Sequence, residues 1–238
     1  MNDERLIRTE FLFGQEKIQK IQHSHVAVFG VGGVGGYVVE ALARSGVGAI
    51  DLIDHDRFVE SNLNRQILAT KDTIGRLKVD VAKERILSIN PDCRVTTYAC
   101  FYLPSEKDQF DFTQYDYVVD AVDTVTAKLD LIEEAQRCGV PIICAMGCGN
   151  RIDPSKLVVT DIYKTVGDPL ARIMRYELRK RGIQKCKVVY STETPMTPVY
   201  PEGFENNPNK PTPGSTAFVP GAAGLLLASQ VIQDLLKD

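Results

Sequence analysis

The chain has 238 residues, 44% of them apolar, enough for a sizeable core in one large domain. Its 28 basic and 31 acidic side chains leave a net charge of -3, so nothing global draws it to nucleic acid or an anionic membrane, and such a partner must be met by a local patch. The charged opening MNDERLIRTE lacks the apolar stretch of a secretory signal, the six cysteines are scattered, and the long apolar run AFVPGAAGLLLASQVIQDLL is interrupted by Pro220, so a cytoplasmic chain with reduced thiols and no membrane insertion is expected.

In chain order the pattern alternates. HVAVFG (25–30) reads as a strand, and after a glycine-rich turn YVVEALARSG (37–46) carries helical spacing up to a stop at Gly46. GAIDLID (48–54) is a second strand, followed by the long polar connection 55–76, which carries Asn62, Asn64, Arg65 and Gln66 and is read as functional. Helix LKVDVAKERILSI (77–89), strand CRVTTYA (93–99), strand DYVVDAVD (116–123), helix TAKLDLIEEAQRCG (126–139) and strand PIICAMG (141–147) continue the series. Beyond them lie a basic helix, a Pro/Asn/Gly-rich segment at 191–216 expected to form a flap or disordered lid, and a C-terminal helix. The alternation predicts an α/β fold: a doubly wound, Rossmann-like, mainly parallel sheet with helices on both faces, binding its ligand beyond the carboxyl ends of the strands. A single domain over 1–238 is expected, with a nucleotide-binding core at 1–165 and appendages at 166–238.

Gly30, Gly32 and Gly35 satisfy G-x-G-x-x-G, and Asp54 follows the second strand where an acid would reach a ribose. That fingerprint serves any nucleotide, NAD included. Arg65 and Lys78 argue for a triphosphate, because two cations converging on the glycine loop neutralise charge that a helix end, worth only ~0.3–2 kcal/mol, cannot. Asp123, at the end of the fourth strand, is placed to hold Mg²⁺, which needs only one or two carboxylates beside phosphate oxygens. Taken singly, Arg65 and Lys78 could be solvated charges and Asp123 a helix N-cap near Thr124.

The strings GVGGVGG, LIDHD, ESNLNRQ, GRLKVDVAKERILSINPDCRV and VVDAVDT together resemble the ThiF and ubiquitin-activating type of adenylating enzyme over roughly residues 5–165. The resemblance implies ATP held by Gly30, Gly32, Gly33, Gly35, Asp54 and Asp56, contacts from Ser61, Asn62, Asn64, Arg65 and Gln66, phosphates on Lys78, and the metal on Asp123 beside Thr124. It also implies that Arg8, in RTEFLFG, reaches the ATP site of a second subunit, hence a homodimer with Arg8, Arg65, Lys78 and Asp123 as catalytic residues. The chain has no CxxC pair, only Cys144 and Cys148 as CxxxC, and no zinc is expected.

The stretch GNRIDPSKLVVTDIYKTVGDPLARIMRYELRKRG, then VVYSTETP and AFVPGAAGLLLASQVI, resembles more narrowly the bacterial branch that cyclises threonylcarbamoyladenosine in tRNA. In that branch ATP adenylates the threonyl carboxylate, and ring closure expels AMP without a catalytic cysteine. Cys148 and Cys186 then remain as candidate redox or sulfur-relay sites, the latter toward a cysteine-desulfurase or sulfur-acceptor system. A tRNA partner would be met by Arg172, Arg175, Arg179, Lys180, Arg181, Lys185 and Lys187, with Glu177 among them. The alternative is an adenylyltransferase acting on the C-terminus of a ubiquitin-like or sulfur-carrier protein; a nucleotide sensor without turnover leaves Arg8 and Asp123 unexplained.

Overall fold

Strands β1 (His25–Phe29), β2 (Ala49–Ile53) and β4 (Tyr117–Asp120) are buried along their whole length. Continuous burial marks parallel strands covered on both faces, and β1 shows the two sides: Val26 and Val28 enter one core cluster, Ala27 and Phe29 another. This is a computed structural model describing residues 3–207 and 211–237, so residues 208–210 of the segment expected as a flap lie outside the described residues. The other strands are β3 (Arg94–Tyr98), β5 (Ile142–Ala145), β6 (Leu157–Asp161) and β7 (Lys187–Ser191). They form one seven-stranded sheet in the order β3-β2-β1-β4-β5-β7-β6, parallel except for the antiparallel pair β6 and β7.

The helices are α1 (Ile7–Phe13), α2 (Gln15–His23), α3 (Gly35–Arg44), α4 (Lys78–Ile89), α5 (Val125–Arg137), α6 (Pro169–Lys180) and α7 (Phe218–Leu235). One face of the sheet is covered by α3, α4 and α7 through Leu42, Ile86 and Leu227; the other by α5 and α6 through Leu131, Ile132 and Met174. The expected doubly wound architecture is the observed one. The chain runs outward from β1 to β2 and β3, then returns to β4 on the other side of β1, so the topological switch lies between β1 and β4.

Two strands escape the sequence pattern. β7 reads as the lead-in to a proline-rich segment and β6 is a partly exposed edge, yet both complete the same sheet, so a boundary after residue 165 divides a continuous structure. The polar connection 55–76 is not featureless either: it holds short 3-10 turns at Glu60–Asn62 and Lys71–Thr73.

By length and composition α7 is the one described helix apolar enough to cross a membrane, and half of it is buried. It lies against α3 so closely that a Cβ on Gly224 would stand 2.4 Å from the Val34 carbonyl oxygen. Its far end is pinned by Asp234, which accepts from Tyr117 Oη at 2.7 Å, from Lys237 Nζ at 2.5 Å and from Lys187 Nζ. Burial disfavours the carboxylate, but these three donors outweigh it and hold the carboxyl at about 2, below its ordinary 3.8. A depressed carboxyl stabilises the fold fully above the unfolded value and loses that contribution as pH falls through the folded one. Asp234→Asn is therefore expected to cost on the order of 2 kcal/mol at pH 5 and above, a difference from wild type that shrinks between pH 4 and 2 in urea titrations; a pH-independent difference would mean that packing, not charge, is lost.

Candidate nucleotide site

A cavity of about 700 Å³ opens at the amino ends of β2 and β3, lined by Arg5, Arg44 and Arg85. Each is ion-paired, Arg5 with Asp3 and Asp92 and the other two with a shared Glu40, so three carboxylates balance the three guanidinium groups and the cavity offers a ligand no net charge from them. A cleft of about 380 Å³ lies at the opposite end, beyond the carboxyl ends of β1, β2 and β4 and thus at the topological switch.

Its floor is the turn from β1 into α3. Gly30 has φ +89°, and a Cβ there would stand 2.6 Å from the Ala121 carbonyl oxygen; a Cβ on Gly35 would meet the Gly30 oxygen at 1.8 Å. Gly30 and Gly35 thus close the turn against β4, whereas Gly32 and Gly33 face the cleft and leave bare backbone at the N-terminus of α3, where an anion is favoured. Asp54 splices this loop to the end of β2: Oδ2 accepts the Val31 N–H at 2.7 Å and Oδ1 the Asp56 N–H at 2.9 Å.

The charges around the floor are unequally partnered. Arg65 Nη1 donates to the Ser61 carbonyl at 2.7 Å and to Asn64 Oδ1 at 2.9 Å, and no carboxylate among the described residues forms an ion pair with it. Its stem lies beside Gly33, and partial burial lowers its pKa because the charge is desolvated without compensation. An anion at the glycine loop would supply the missing partner. Lys78 opens α4 with its side chain 7% exposed, and Nζ donates to Asp56 Oδ2 at 2.7 Å. Gln66 is 6% exposed, lines the cleft, and its Oε1 is the one buried side-chain polar atom without a partner among the described residues. Such an orphan inside a native structure calls for a ligand or water.

Asp123 lies on the cleft wall, exposed, with Oδ1 accepting the Thr124 hydroxyl at 3.3 Å. Thr124, not Asp123, occupies the N-cap of α5 and makes no side-chain capping bond, so the helix-cap alternative for Asp123 is not what the chain builds. His55 and Phe101 meet edge to face at 4.7 Å on the lip formed by β2 and β3.

The structure brings Gly30, Gly32, Gly33, Asp54, Asp56, Arg65, Gln66, Lys78, Asp123 and Thr124 to one cleft. It does not bring the rest of the expected set there. Ser61 and Asn64 stand behind Arg65 as its hydrogen-bond acceptors, and Asn62 is buried, with Oδ1 accepting the Val59 N–H at 3.2 Å. Arg8 is exposed on α1 and does not line the cleft of its own chain.

Two supporting ion pairs were not legible as such. Lys128 and Asp120 are both fully buried: Lys128 Nζ donates to both Asp120 oxygens at 3.0 and 2.9 Å and to the Ala145 carbonyl at 2.7 Å, while Asp120 Oδ1 accepts the Val122 N–H at 3.1 Å. The signal was present, because Leu131, Ile132 and Ala135 define the buried stripe of α5 and put Lys128 on it. Arg151 likewise pairs with buried Asp168 at 2.7 Å and donates to the Gly147 carbonyl, tying the turn after β5 to α6.

All six cysteines are free. Cys148 lines the cleft, but burial pushes its thiol up to about 11, against weaker pulls from Arg151 and Lys128. Relative to an unshifted thiol its thiolate population at neutral pH falls about 100-fold, so its alkylation by iodoacetamide at pH 7.5 is expected to be slower than that of a free thiol by at least that factor; labelling at the free-thiol rate would place it on the surface.

The basic segment is less available than its composition implies. Arg175 is tied to Thr165, Arg181 to Glu177 and Glu133, and Lys187 to Asp234, while Lys180 lies 4.1 Å from the Tyr176 ring and 3.5 Å from Glu177. Arg172, Arg179 and Lys185 are exposed and form no ion pair with any described residue, and the Arg179 guanidinium lies 5.2 Å from the Tyr163 ring.

A doubly wound α/β protein whose switch-point cleft joins a bare glycine loop, a helix N-terminus and an arginine without a counter-ion belongs to the class that binds phosphorylated nucleotides. More narrowly, the chain belongs to the ThiF family, whose sequence model matches residues 4–238. It is 42% identical over 239 residues to the tRNA threonylcarbamoyladenosine dehydratase of Bacillus subtilis, covering 97% of this chain and 94% of that one. Among solved structures it is similar to E. coli tRNA N6-threonylcarbamoyladenosine dehydratase, TcdA, in complex with AMP, with TM-score 0.89 and 36% identity over 98% of this chain and 94% of that one. The same E. coli protein in complex with ATP superposes with TM-score 0.87, at the same identity and coverage.

Proposed function

We propose that this chain uses ATP to adenylate the threonyl carboxylate of threonylcarbamoyladenosine in tRNA and then closes the ring with release of AMP. The carboxylate oxygen attacks the α-phosphorus and pyrophosphate leaves. A neighbouring nucleophile on the same substrate then attacks the acyl carbon, AMP departs, and the net change in the nucleoside is loss of water. The observation that carries the chemistry is Arg65, a partly desolvated guanidinium without a counter-charge beside the open backbone of Gly33. Identity to a dehydratase over nearly the whole chain directs that chemistry to tRNA.

In this reading Gly32, Gly33 and the N-terminus of α3 hold phosphate through backbone N–H groups, and Arg65 and Lys78 neutralise the charge that builds as the α-phosphate is attacked. Lys78 reaches phosphate by exchanging its bond to the exposed carboxylate of Asp56. Asp123 suits Mg²⁺, since it is exposed to the cleft and only one of its oxygens has a protein donor. Bound there, the ion would neutralise charge on phosphate oxygens. Ring closure needs proximity more than a nucleophile from the protein, and proximity can supply ~7–11 kcal/mol; no thiol is required for that step. Arg172, Arg179 and Lys185 offer the charge for tRNA phosphates, and a tRNA substrate implies the cytoplasm. Arg8 acts from a second copy in a homodimer, a reading supported by its place outside its own cleft and by the exposed Phe11 and Leu12 on the same helix.

The test is to incubate the protein with ATP, Mg²⁺ and tRNA carrying the linear modification and weigh the nucleosides. Loss of one water with release of AMP is expected. Unchanged tRNA, with ATP consumed on the C-terminus of a ubiquitin-like or sulfur-carrier protein, overturns it.

A further inference from the structure

Segment 191–216 leaves β7 and returns to α7, and the residues of its returning limb, 211–214, are exposed. Thr212, Pro213 and Ser215 nevertheless form one wall of the cleft. Exposed backbone without an apolar anchor stays in place only through the hydrogen bonds that hold it. Thr212 is tied within the segment, its N–H donating to Asn206 Oδ1 at 3.0 Å and its carbonyl accepting from Tyr200 Oη at 2.9 Å, while one residue outside the segment holds both limbs. The Asn150 N–H donates to the Gly214 carbonyl at 2.8 Å, Asn150 Oδ1 accepts the Gly214 N–H at 2.7 Å, and the Asn150 carbonyl accepts the Met196 N–H at 2.7 Å. One side chain and its own peptide groups thus grip the outgoing limb at Met196 and the returning limb at Gly214. Beside it Gly149 gives the limb room, since a Cβ there would stand 2.7 Å from Pro213 Cβ.

The backbone at this point is unusual. Asn150 has φ +60°, the only non-glycine residue with positive φ among the described residues. Asparagine tolerates that region better than other side chains but still at a cost, and such outliers persist where the surroundings impose them. The next link runs toward the chemistry. Asn64 Nδ2 donates to the Ser215 carbonyl at 3.0 Å, while Asn64 Oδ1 accepts from Arg65 Nη1 at 2.9 Å. A continuous chain of hydrogen bonds therefore joins Asn150, Gly214–Ser215, Asn64 and the guanidinium of Arg65. The glycine loop, Asp54 and Lys78 make no hydrogen bond to this limb among the described residues.

We propose that Asn150 is a positioning residue: it clasps residues 211–216 as the wall against which the tRNA-borne carboxylate is presented, and through Asn64 it fixes the limb relative to Arg65. This rests on the proposed tRNA reaction for the identity of the substrate, but not for the clasp itself. Three substitutions separate the contributions. Asn150→Asp keeps both the acceptor oxygen and the tolerance of positive φ; Asn150→Gly keeps the backbone conformation but removes the acceptor; Asn150→Ala removes the acceptor and strains the backbone.

The experiment has two arms on the full-length protein. Amide hydrogen exchange should show lost protection in peptides covering 211–216 for Asn150→Gly and Asn150→Ala, with protection kept in Asn150→Asp and in the β1–α3 turn of every variant. Steady-state kinetics should show KM for the modified tRNA raised about tenfold in Asn150→Gly, the upper scale of losing one hydrogen bond, with KM for ATP within about twofold and Asn150→Asp near wild type. Unchanged exchange at 211–216 overturns the clasp. Lost protection with KM for ATP rising as much as KM for tRNA overturns the assignment to the substrate side. If the wild-type protein does not process tRNA at all, it is the functional reading that fails, and exchange alone then decides the clasp.

Discussion

Arg65→Ala is expected to lower the rate of adenylation by about 10²–10³-fold while leaving the protein folded, as measured by AMP release at saturating ATP against a thermal melt. The magnitude is that of removing one preorganised donor from a site where charge develops. The melt is expected to stay close to wild type because Arg65 gives little to the fold: its partners are the Ser61 carbonyl and the Asn64 side chain, both near solvent, and burial of its unpaired charge is itself a cost. A residue that destabilises the empty protein and stabilises a bound anion is a stability–activity compromise. Arg65→Lys should recover only part of the rate, because an ammonium cannot reproduce the planar fork that grips phosphate oxygens in pairs. Adenylation at wild-type rate in Arg65→Ala would return this residue to the solvated charges and take the phosphate-neutralising role away from it.

How far this site could be read from the sequence depends on which residues act through composition and which through placement. The glycine turn and Asp54 were legible because their spacing follows from covalent geometry: a strand end, a turn that a Cβ would block and an acid at the next strand end have few arrangements. Arg65, Lys78 and Asp123 followed because the strand ends of a parallel sheet converge. Ser61 and Asn64, by contrast, are placed as hydrogen-bond acceptors for Arg65, an arrangement made by the 3-10 turn at 60–62, which no residue pattern announces. The basic segment shows the same limit. Its charges were countable, but whether Arg175 faces Thr165 or a phosphate depends on how α6 packs. β7 was missed because strand propensity over VVYS competes with the prolines that follow, and register with β5 settles it only in three dimensions.

Lys128 carries the largest expected effect on stability. Lysine and aspartate with no exposed side-chain surface are sustained by each other: Nζ has three acceptors, and Asp120 receives Nζ on both oxygens and the Val122 N–H on one of them. Lys128→Met fills the volume but strands a carboxylate beneath the sheet, at a cost of about 3–5 kcal/mol, or a fall in Tm of roughly 6–20 °C for a chain of this size. Replacing both members, with Asp120→Asn retained as an acceptor for Val122, removes the uncompensated charge and should recover most of that loss in urea titrations. The functional consequence follows from the same bonds. Asp120 ends β4, and the turn it holds through Val122 delivers Asp123 to the cleft, so in Lys128→Met the rate of adenylation should fall even at temperatures where the melt shows a folded protein. A double variant no more stable than Lys128→Met alone would mean that the lysine acts through packing and its bond to the Ala145 carbonyl, and that the charge pair is not what sets the turn.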